Sequence, residues 1–553
     1  MSLLLTLAGQ VAPAGTGGSP GNGGAGVSGQ LPPLQLPHVE YHLLLPFLIL
    51  VGSAVAMLAL ASLIRDTWRK GLYAAWTSIT ALVVTGYTWH LWGQVVGHHH
   101  PGKPGPVAIV DGSLAIDGFG LLITMILCAA LVLGALMAES YLPREDLDGP
   151  EFYVLAMLAT AGGILMGEAN DLIMVFLGLE VLSLSLYILT AYHRRREQSG
   201  EAGIKYFVLG AFSSAFFLYG VALVYGATGT TSLPAIATFL SNTVLTSNGV
   251  LLAGMAFLLV GLGFKVAVVP FHVWAPDVYQ GAPTPATGFM AAAAKTAGFA
   301  ALLRIFLSAL PTQVDNWRPL VWGLAALTLV VGSVVAVVQT DVKRILAYSS
   351  ISHAGYVLLG LYAATATGSI ASNGLAGASL YLLTYTFMIA GSFAVVTVVG
   401  GQGDDRHGLD AYHGLSAARP GLALGFTILL VSQAGLPFTT GFIAKFDVVS
   451  AVVSRGGAPD YVLGVLAMLA AVVSTFFYLR IILAMYSPDT SEGAADGTSE
   501  TTDGGSVAVA TKTRTAVPVS LGLTVAVCVA FTIGFGIVPG PLIHLAEKAT
   551  LLF

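Results

Sequence analysis

Charge is what this chain has least of. Only 9% of its 553 residues are Asp, Glu, Lys or Arg, against about 25% in soluble domains, so most of it is built for lipid. Cysteine is nearly absent: Cys128 and Cys528 stand far apart, each inside an apolar run. Two thiols exclude a four-thiolate iron–sulfur centre and a disulfide framework, and both read as small core residues. A Gly-rich dinucleotide fingerprint and a P-loop are missing, so the chain binds no nucleotide through a recognisable motif. The short alternating segments of a transmembrane barrel are missing too. No Ser-His-Asp or paired-carboxylate arrangement supports hydrolysis.

What is present is hydrocarbon-compatible sequence. Hydrophobic residues make up 56% of the chain, and apolar runs of about 20 residues, the length that spans a bilayer, recur from His42 almost to the C-terminus. Within lipid each backbone group must be satisfied internally, so these runs are helices. The expected fold is an all-α polytopic membrane protein of about 14 spans: 42–64, 71–94, 118–138, 151–168, 171–192, 203–226, 249–279, 284–309, 319–339, 345–365, 374–400, 421–454, 459–486 and 515–539. Residues 1–41 form a Gly/Pro-rich outer N-terminus, 42–150 hold spans 1–3, and 487–514 form an acidic inner loop that composition marks as disordered. Residues 515–553 carry the last span and the C-terminus.

Loop charge sets orientation. With the N-terminus outside, the inner side collects fifteen Lys and Arg, among them Arg65, Arg69, Lys70, Arg144, Arg194, Arg195, Arg196, Lys343, Arg344, Arg406, Lys512 and Arg514. The outer side collects Lys103, Arg318, Arg455 and Lys548. Both termini are therefore expected outside. Arg194-Arg195-Arg196 reads as a topology anchor, and Arg304 is expected near the outer interface.

Two spans are overlong and interrupted. The seventh contains Gly261-Leu262-Gly263-Phe264-Lys265 and then Pro270; the twelfth contains Gly435-Leu436-Pro437, Thr439-Thr440-Gly441 and then Lys445. Broken helices at matching positions of two halves point to inverted repeats with ion sites at the breaks. Pairing spans 4–8 (151–310) with spans 9–13 (319–486) yields two five-helix units.

Lys265, Lys295, Lys445 and Glu180 lie inside spans. A charge at the bilayer centre costs roughly 2.5–3.5 kcal/mol on insertion scales, so such residues face the protein interior and commonly mark ion paths. Glu180 stands nine residues after Asp171, about 13 Å along its helix. The structural alternatives are a protonated glutamate bonded to a neighbouring helix, and fixed ion pairs for the lysines. His353, following Ser349, Ser350 and Ser352, suits a proton relay by its titration range, or is a packed hydrogen-bond partner. His272 and Asp277, at the inner end of the seventh span, either feed protons from the inside or hold the loop. The run His98-His99-His100 lacks helical ligand spacing and is not read as a metal site.

The strings FKVAVVPFHVWAPDVYQGAPTPATGFMAAAAKTAGFAALLR (264–304), TDVKRILAYSSISHAGYVLLG (340–360) and GLPFTTGFIAKF (435–446) resemble the antiporter-like membrane subunits of respiratory complex I, the NADH–quinone oxidoreductase. The likeness is closest to the subunit N branch and covers most of 42–540. It implies a proton-translocating subunit in a bacterial cell membrane, alongside neighbouring antiporter-like and small membrane subunits. By that resemblance Glu180 and Lys265 are a modulating pair, Lys295 the central relay, Lys445 the terminal lysine, and His353 a polar position between the last two. NADH, FMN, iron–sulfur clusters and quinone are expected on partner subunits, with no cofactor bound by this chain. The competing readings are a subunit of a multi-subunit Na⁺/H⁺ antiporter and a scaffold subunit that does not pump.

Overall fold

The computed structural model describes residues 39–61, 63, 71–96, 105–243, 247–364, 372–488 and 517–552. The Gly/Pro-rich stretch up to His38, the histidines at 98–100 and the acidic stretch from 489 to 514 lie outside the described residues, as do Arg65, Arg69, Lys70, Lys103, Lys512 and Arg514.

Helices α1 (Tyr41–Ala61) and α2 (Leu72–Val95) precede a small antiparallel hairpin, β1 (Val107–Ile109) with β2 (Leu114–Ile116), and then α3 (Gly118–Arg144). Next come α4 (Glu151–Glu168), α5 (Leu172–Thr190), α6 (Glu197–Thr228), the short α7 (Leu233–Asn242), α8 (Gly249–Lys265), α9 (Trp274–Gly281) and α10 (Thr284–Arg304). They are followed by α11 (Val314–Val337), α12 (Val342–Ala363), α13 (Ser372–Gly400), α14 (Leu415–Ala418), α15 (Pro420–Ala434), α16 (Thr440–Val453) and α17 (Ala458–Tyr486). Helices α18 (Val519–Ile537) and α19 (Gly540–Glu547) complete the described order.

Eleven helices among the described residues are long and apolar enough to cross a membrane. The three other spans read from the sequence fall on α2 and on the pairs α8–α9 and α15–α16. Helix α2 has the length, with 24 residues, but carries Thr77, Thr80, Thr85, Thr88 and His90. The two pairs are the interrupted spans. Helix α8 stops at Lys265, and Ala267 takes a left-handed backbone before α9 begins. Helix α15 stops at Gly435, whose φ of 92° lets its N–H turn back onto Ser432 and Val431, and Pro437 keeps the chain from re-entering a helix at once. In both places a helix end is exposed inside the protein, with carbonyls left for other groups to satisfy.

Aspartates start the key helices. Asp117 accepts the Gly120 N–H at α3, Asp171 the Ile173 N–H at α5, and Asp341 the Arg344 N–H at α12, each an N-cap. Glycine lets paired helices approach backbone to backbone, as in other membrane bundles. A Cβ on Gly162 of α4 would lie 2.6 Å from Leu182 N of α5, and one on Gly332 of α11 would lie 2.6 Å from Ser352 N of α12.

Helix α10 is the axis of the assembly: each residue from Thr284 to Arg304 is buried. Its two ends orient the neighbours. Arg304 Nε donates to Gly167 O, just before α5 begins, while Lys343 Nζ, at the start of α12, donates to Ala282 O. Helices α5 and α12 therefore start at opposite ends of α10 and run in opposite senses along it.

Arg304 departs from the sequence expectation. It does not reach the interface; its guanidinium is buried and bound bidentately to Asp117, with both N···O distances 2.8 Å. A planar fork paired with a carboxylate satisfies a buried arginine far better than a long reach to the surface. The two cysteines are free and buried, as read.

Candidate functional site

The break after α8 leaves Lys265 as the last residue of that helix, pointing at α5 and α6. Its Nζ donates to Ser183 Oγ at 2.8 Å and Tyr206 OH at 3.3 Å, and lies over the rings of Tyr206 and Tyr187. Hydroxyls and ring faces both favour an ammonium. Glu180 is one turn of α5 before Ser183, near enough for its charge to act on Lys265. The structure nevertheless holds the two apart: no ion pair joins them, and Glu180 Oε1 has no hydrogen-bond partner among the described residues. Gly298 of α10 packs against the lysine stem; a Cβ there would sit 3.4 Å from Lys265 Cγ.

Between Lys265 and Lys295 the space is filled by rings. Tyr206 stacks on Trp274 with centroids 4.5 Å apart, and Trp274 meets Tyr279 edge-on. Tyr279 OH then touches Ser350 Oγ at 3.3 Å. Lys295, buried midway along α10, donates to the backbone carbonyl of that same Ser350 and lies over the Tyr385 ring. Tyr385 OH donates to Ser350 Oγ at 2.8 Å. Ser350 thus gathers Lys295, Tyr279 and Tyr385 at one point of α12.

One turn further along α12, His353 is bonded through Nδ1 to Tyr381 OH at 2.6 Å and through Nε2 to Tyr478 OH at 3.2 Å. Its ring is 5.1 Å from that of Tyr385, and it feels the charges of both Lys445 and Lys295. Tyr478 OH bonds Ser349 Oγ, which lies 3.5 Å from Gln433 Oε1. Gln433 anchors its amide on Ser392 at 2.7 Å. Lys445, on α16, donates to the carbonyls of Gln433 at 2.7 Å and Ala434 at 3.0 Å, and lies over Tyr356. These are the last carbonyls of α15, where the helix dipole places negative potential. The break that the sequence marks with Gly435 is therefore the binding site of the lysine beside it.

Lys295, His353 and Lys445 are brought together by polar side chains of α12, α13, α15 and α17, and Lys265 is set off from Lys295 by the rings of Tyr206, Trp274 and Tyr279. Glu180 stands beside Lys265. His272 and Asp277 are not brought together. His272 faces Tyr348, its Nδ1 without a hydrogen-bond partner among the described residues, whereas Asp277 is clamped by Arg344 at 2.8 Å and Lys205 at 3.0 Å. Sequence reading missed the connecting groups, Tyr279, Tyr385, Tyr478, Ser183 and Gln433, because a tyrosine or serine in an apolar run reads as packing. No cluster of three or more His, Cys, Asp or Glu with metal-holding geometry occurs among the described residues.

Interrupted helices closing on lysines across a buried polar line define a polytopic membrane protein of the antiporter-like class. The chain belongs to the NADH:quinone oxidoreductase/Mrp antiporter transmembrane family, whose family model matches residues 169–475. It is 42% identical over 450 residues to the NADH-quinone oxidoreductase subunit N of Trichlorobacter lovleyi, covering 81% of this chain and 88% of that one. To the Mycobacterium tuberculosis subunit N it is 39% identical over 568 residues, covering 94% and 99%. Among solved structures it is similar to a chain of respiratory complex I from Thermus thermophilus with bound aureothin, at 32% identity and a TM-score of 0.71 over 91% of this chain and 99% of that one. The Mrp complex from Dietzia sp. shares the fold, with a TM-score of 0.74 at 19% identity over 92% and 97%.

Proposed function

We propose that this chain is the subunit N-type, proton-translocating membrane subunit of a bacterial NADH–quinone oxidoreductase. The observation that carries the reading is the buried line from Lys265 to Lys445, in a chain whose relatives are named as that subunit. NADH, FMN, iron–sulfur clusters and quinone belong to partner subunits, and this chain contributes the proton path. Lys295 is the central relay and Lys445 the terminal one. Glu180 and Lys265 modulate them electrostatically, and His353 passes protons between Tyr381 and Tyr478 by accepting at one ring nitrogen and releasing at the other. Because these groups influence one another, they titrate as a set. His272 and Asp277 serve the inner uptake side.

The chain crosses the cell membrane 14 times, with both termini outside and two inverted five-helix repeats, α4–α10 and α11–α17. The opposite senses of α5 and α12 along α10 support the inversion. So does a shared detail: Asp171 and Asp341 cap equivalent helices, and each forms an isolated antiparallel bridge, to Ser232 and Gly408 respectively. Counting nine residues on from each aspartate reaches Glu180 in one unit and Ser350 in the other.

The test is proton uptake by inverted vesicles during NADH oxidation, at equal amounts of assembled complex. Lys295→Ala and Glu180→Ala are expected to lower uptake. Undiminished uptake with normal quinone reduction in both variants would overturn the reading.

A further inference from the structure

A second buried charge cluster lies away from the lysine line, where the loop after α13 folds back beneath α10. The segment Gly401–His407 turns tightly, with Gly401, Gly403 and Asp404 all at positive φ. Asp tolerates that conformation better than most side chains, and the turn drives the Asp404 carboxylate inward until it is fully buried. Six groups from five residues then surround its two oxygens by hydrogen bond or ion pair. Oδ1 accepts Thr284 Oγ1–H at 2.6 Å and lies 3.2 Å from His407 Nε2. Oδ2 accepts the Thr284 N–H at 3.1 Å, Tyr141 OH at 3.2 Å and Arg196 Nη1 at 3.2 Å, with Lys343 Nζ 3.7 Å away. Burial alone pushes the carboxyl pKa up, but the Lys343 ammonium, then His407 and Thr284, outweigh it and hold the pKa well below the usual carboxylate range.

The partners belong to different elements. Thr284 is the first residue of α10, so a carboxylate 120 positions away in sequence acts as the N-cap that the preceding Pro283 cannot supply. Lys343 is in the first turn of α12, Arg196 precedes α6, and Tyr141 is on α3. Arg196 and His407 also line a cavity of about 450 Å³ together with Lys205, Asp277, Gly403 and Asp405. Asp404 therefore stands between that cavity and the ends of α10 and α12.

Those two helices meet at the centre of the proposed path. Lys295 is eleven residues beyond Thr284 and Ser350 seven beyond Lys343, so the contact lies about 16 Å and 10 Å along the respective helices. Their axial register decides whether Lys295 reaches the Ser350 carbonyl, and a slip of one residue, about 1.5 Å, removes the contact. We propose that Asp404 is a positioning residue for proton translocation, holding α10 and α12 in the register at which Lys295 meets Ser350.

The inference rests on the role given to Lys295 above, so Lys295→Ala is measured beside the new variants in inverted vesicles. The readout is protons taken up per NADH oxidised at matched complex abundance. A merely structural carboxylate would change abundance and leave this ratio alone. Asp404→Asn is expected to assemble and to lower the ratio at least about twofold, as single positions that modulate coupling do. A wild-type ratio in assembled Asp404→Asn overturns the proposal. If that variant does not assemble, Thr284→Val decides: it removes only the bond from Oγ1, a lowered ratio supports the proposal and a wild-type ratio overturns it. Failure of both to assemble also overturns it, since the carboxylate would then be a scaffold group. Full uptake in Lys295→Ala sinks the functional reading itself, whereas lost uptake there with a normal Asp404→Asn sinks only this inference.

Discussion

Tyr478→Phe tests whether the polar line conducts or only packs. The tyrosine OH joins His353 Nε2, at 3.2 Å, to Ser349 on the side facing Lys445. Phenylalanine keeps the ring, including its packing against Phe477 with centroids 4.4 Å apart, and deletes only the bridge. Two buried polar atoms lose a partner, and each loss costs about 1 kcal/mol or more, so stability falls by about 2 kcal/mol. That is tolerable for a complex of this size. The relay suffers more specifically. Among the described residues Ser349 is left with its 3.5 Å approach to Gln433, and a proton leaving His353 toward Lys445 loses the hydroxyl that would accept it. Raising that step by about 1.4 kcal/mol slows it about tenfold. The assay is the initial rate of NADH-driven proton uptake in inverted vesicles, normalised to assembled complex, with Phe477→Leu as a neighbouring packing control. A wild-type rate in Tyr478→Phe, or an equal loss in Phe477→Leu, would refute the conducting role of the hydroxyl.

Asp117→Ala strands the buried Arg304 guanidinium, at about 3–5 kcal/mol, and removes the α3 cap, about 1 kcal/mol more. A large drop in the thermal midpoint of the detergent-solubilised complex is expected, and Asp117→Leu with Arg304→Met should recover most of it. Gly435→Ala forces a side chain into a φ of 92° and sets its Cβ 2.9 Å from Lys445 Cδ. The strain is about 1–2 kcal/mol, and proton uptake should fall as Lys445 is pushed off the α15 carbonyls. For Asp404 the sign follows from its depressed pKa: the stabilisation is present above the unfolded-state value of about 3.9 and is lost only as pH falls through the lower folded-state value. The Asp404→Asn defect should therefore stay constant from about pH 5 to about pH 7, which a pH series of the uptake ratio checks.

Apolar length, the two interruptions and the midplane lysines were all legible in the sequence because each is a local property of one segment. Lys445 beside Gly435 is the clearest instance, since the residue that ends α15 also frees the carbonyls that hold the lysine. Arg304 shows the limit. At the end of an apolar run it looks like an interface residue, and its partner is 187 positions away. Asp404 sits in a loop that reads as ordinary inner-side charge, yet it binds Tyr141, which precedes it by 263 residues. Such pairings depend on which helices pack together, and periodicity does not carry that. The tyrosines were missed for another reason: in a hydrophobic run only the ring is visible as a packing unit, and whether the hydroxyl finds a partner is decided by the helix across from it.

The electrostatics of the line bear on how it works. The buried arginine and Lys343 have carboxylates, Asp117 and Asp404, whereas Lys295 and Lys445 have none within ion-pair distance among the described residues. They are held instead by backbone carbonyls, hydroxyl-bearing neighbours and aromatic faces. A full ion pair in a low-dielectric interior is strong enough to fix its members in place, which suits the two ends of α10, where register must be kept. Carbonyl dipoles and ring faces support an ammonium without neutralising it, so the two lysines remain responsive to each other and to His353 between them. Glu180, with one oxygen unpartnered among the described residues and one turn from the Ser183 bound by Lys265, is a nearby anion whose engagement would alter that balance. If Glu180 moves onto Lys265, the first cation is compensated and its repulsion on the next is reduced; if it withdraws, the repulsion returns. Glu180→Gln should then remove this modulation while keeping the shape of the side chain. Proton uptake is expected to fall with assembly retained, and a Glu180→Gln complex that pumps at the wild-type ratio would show that the lysine line runs without it.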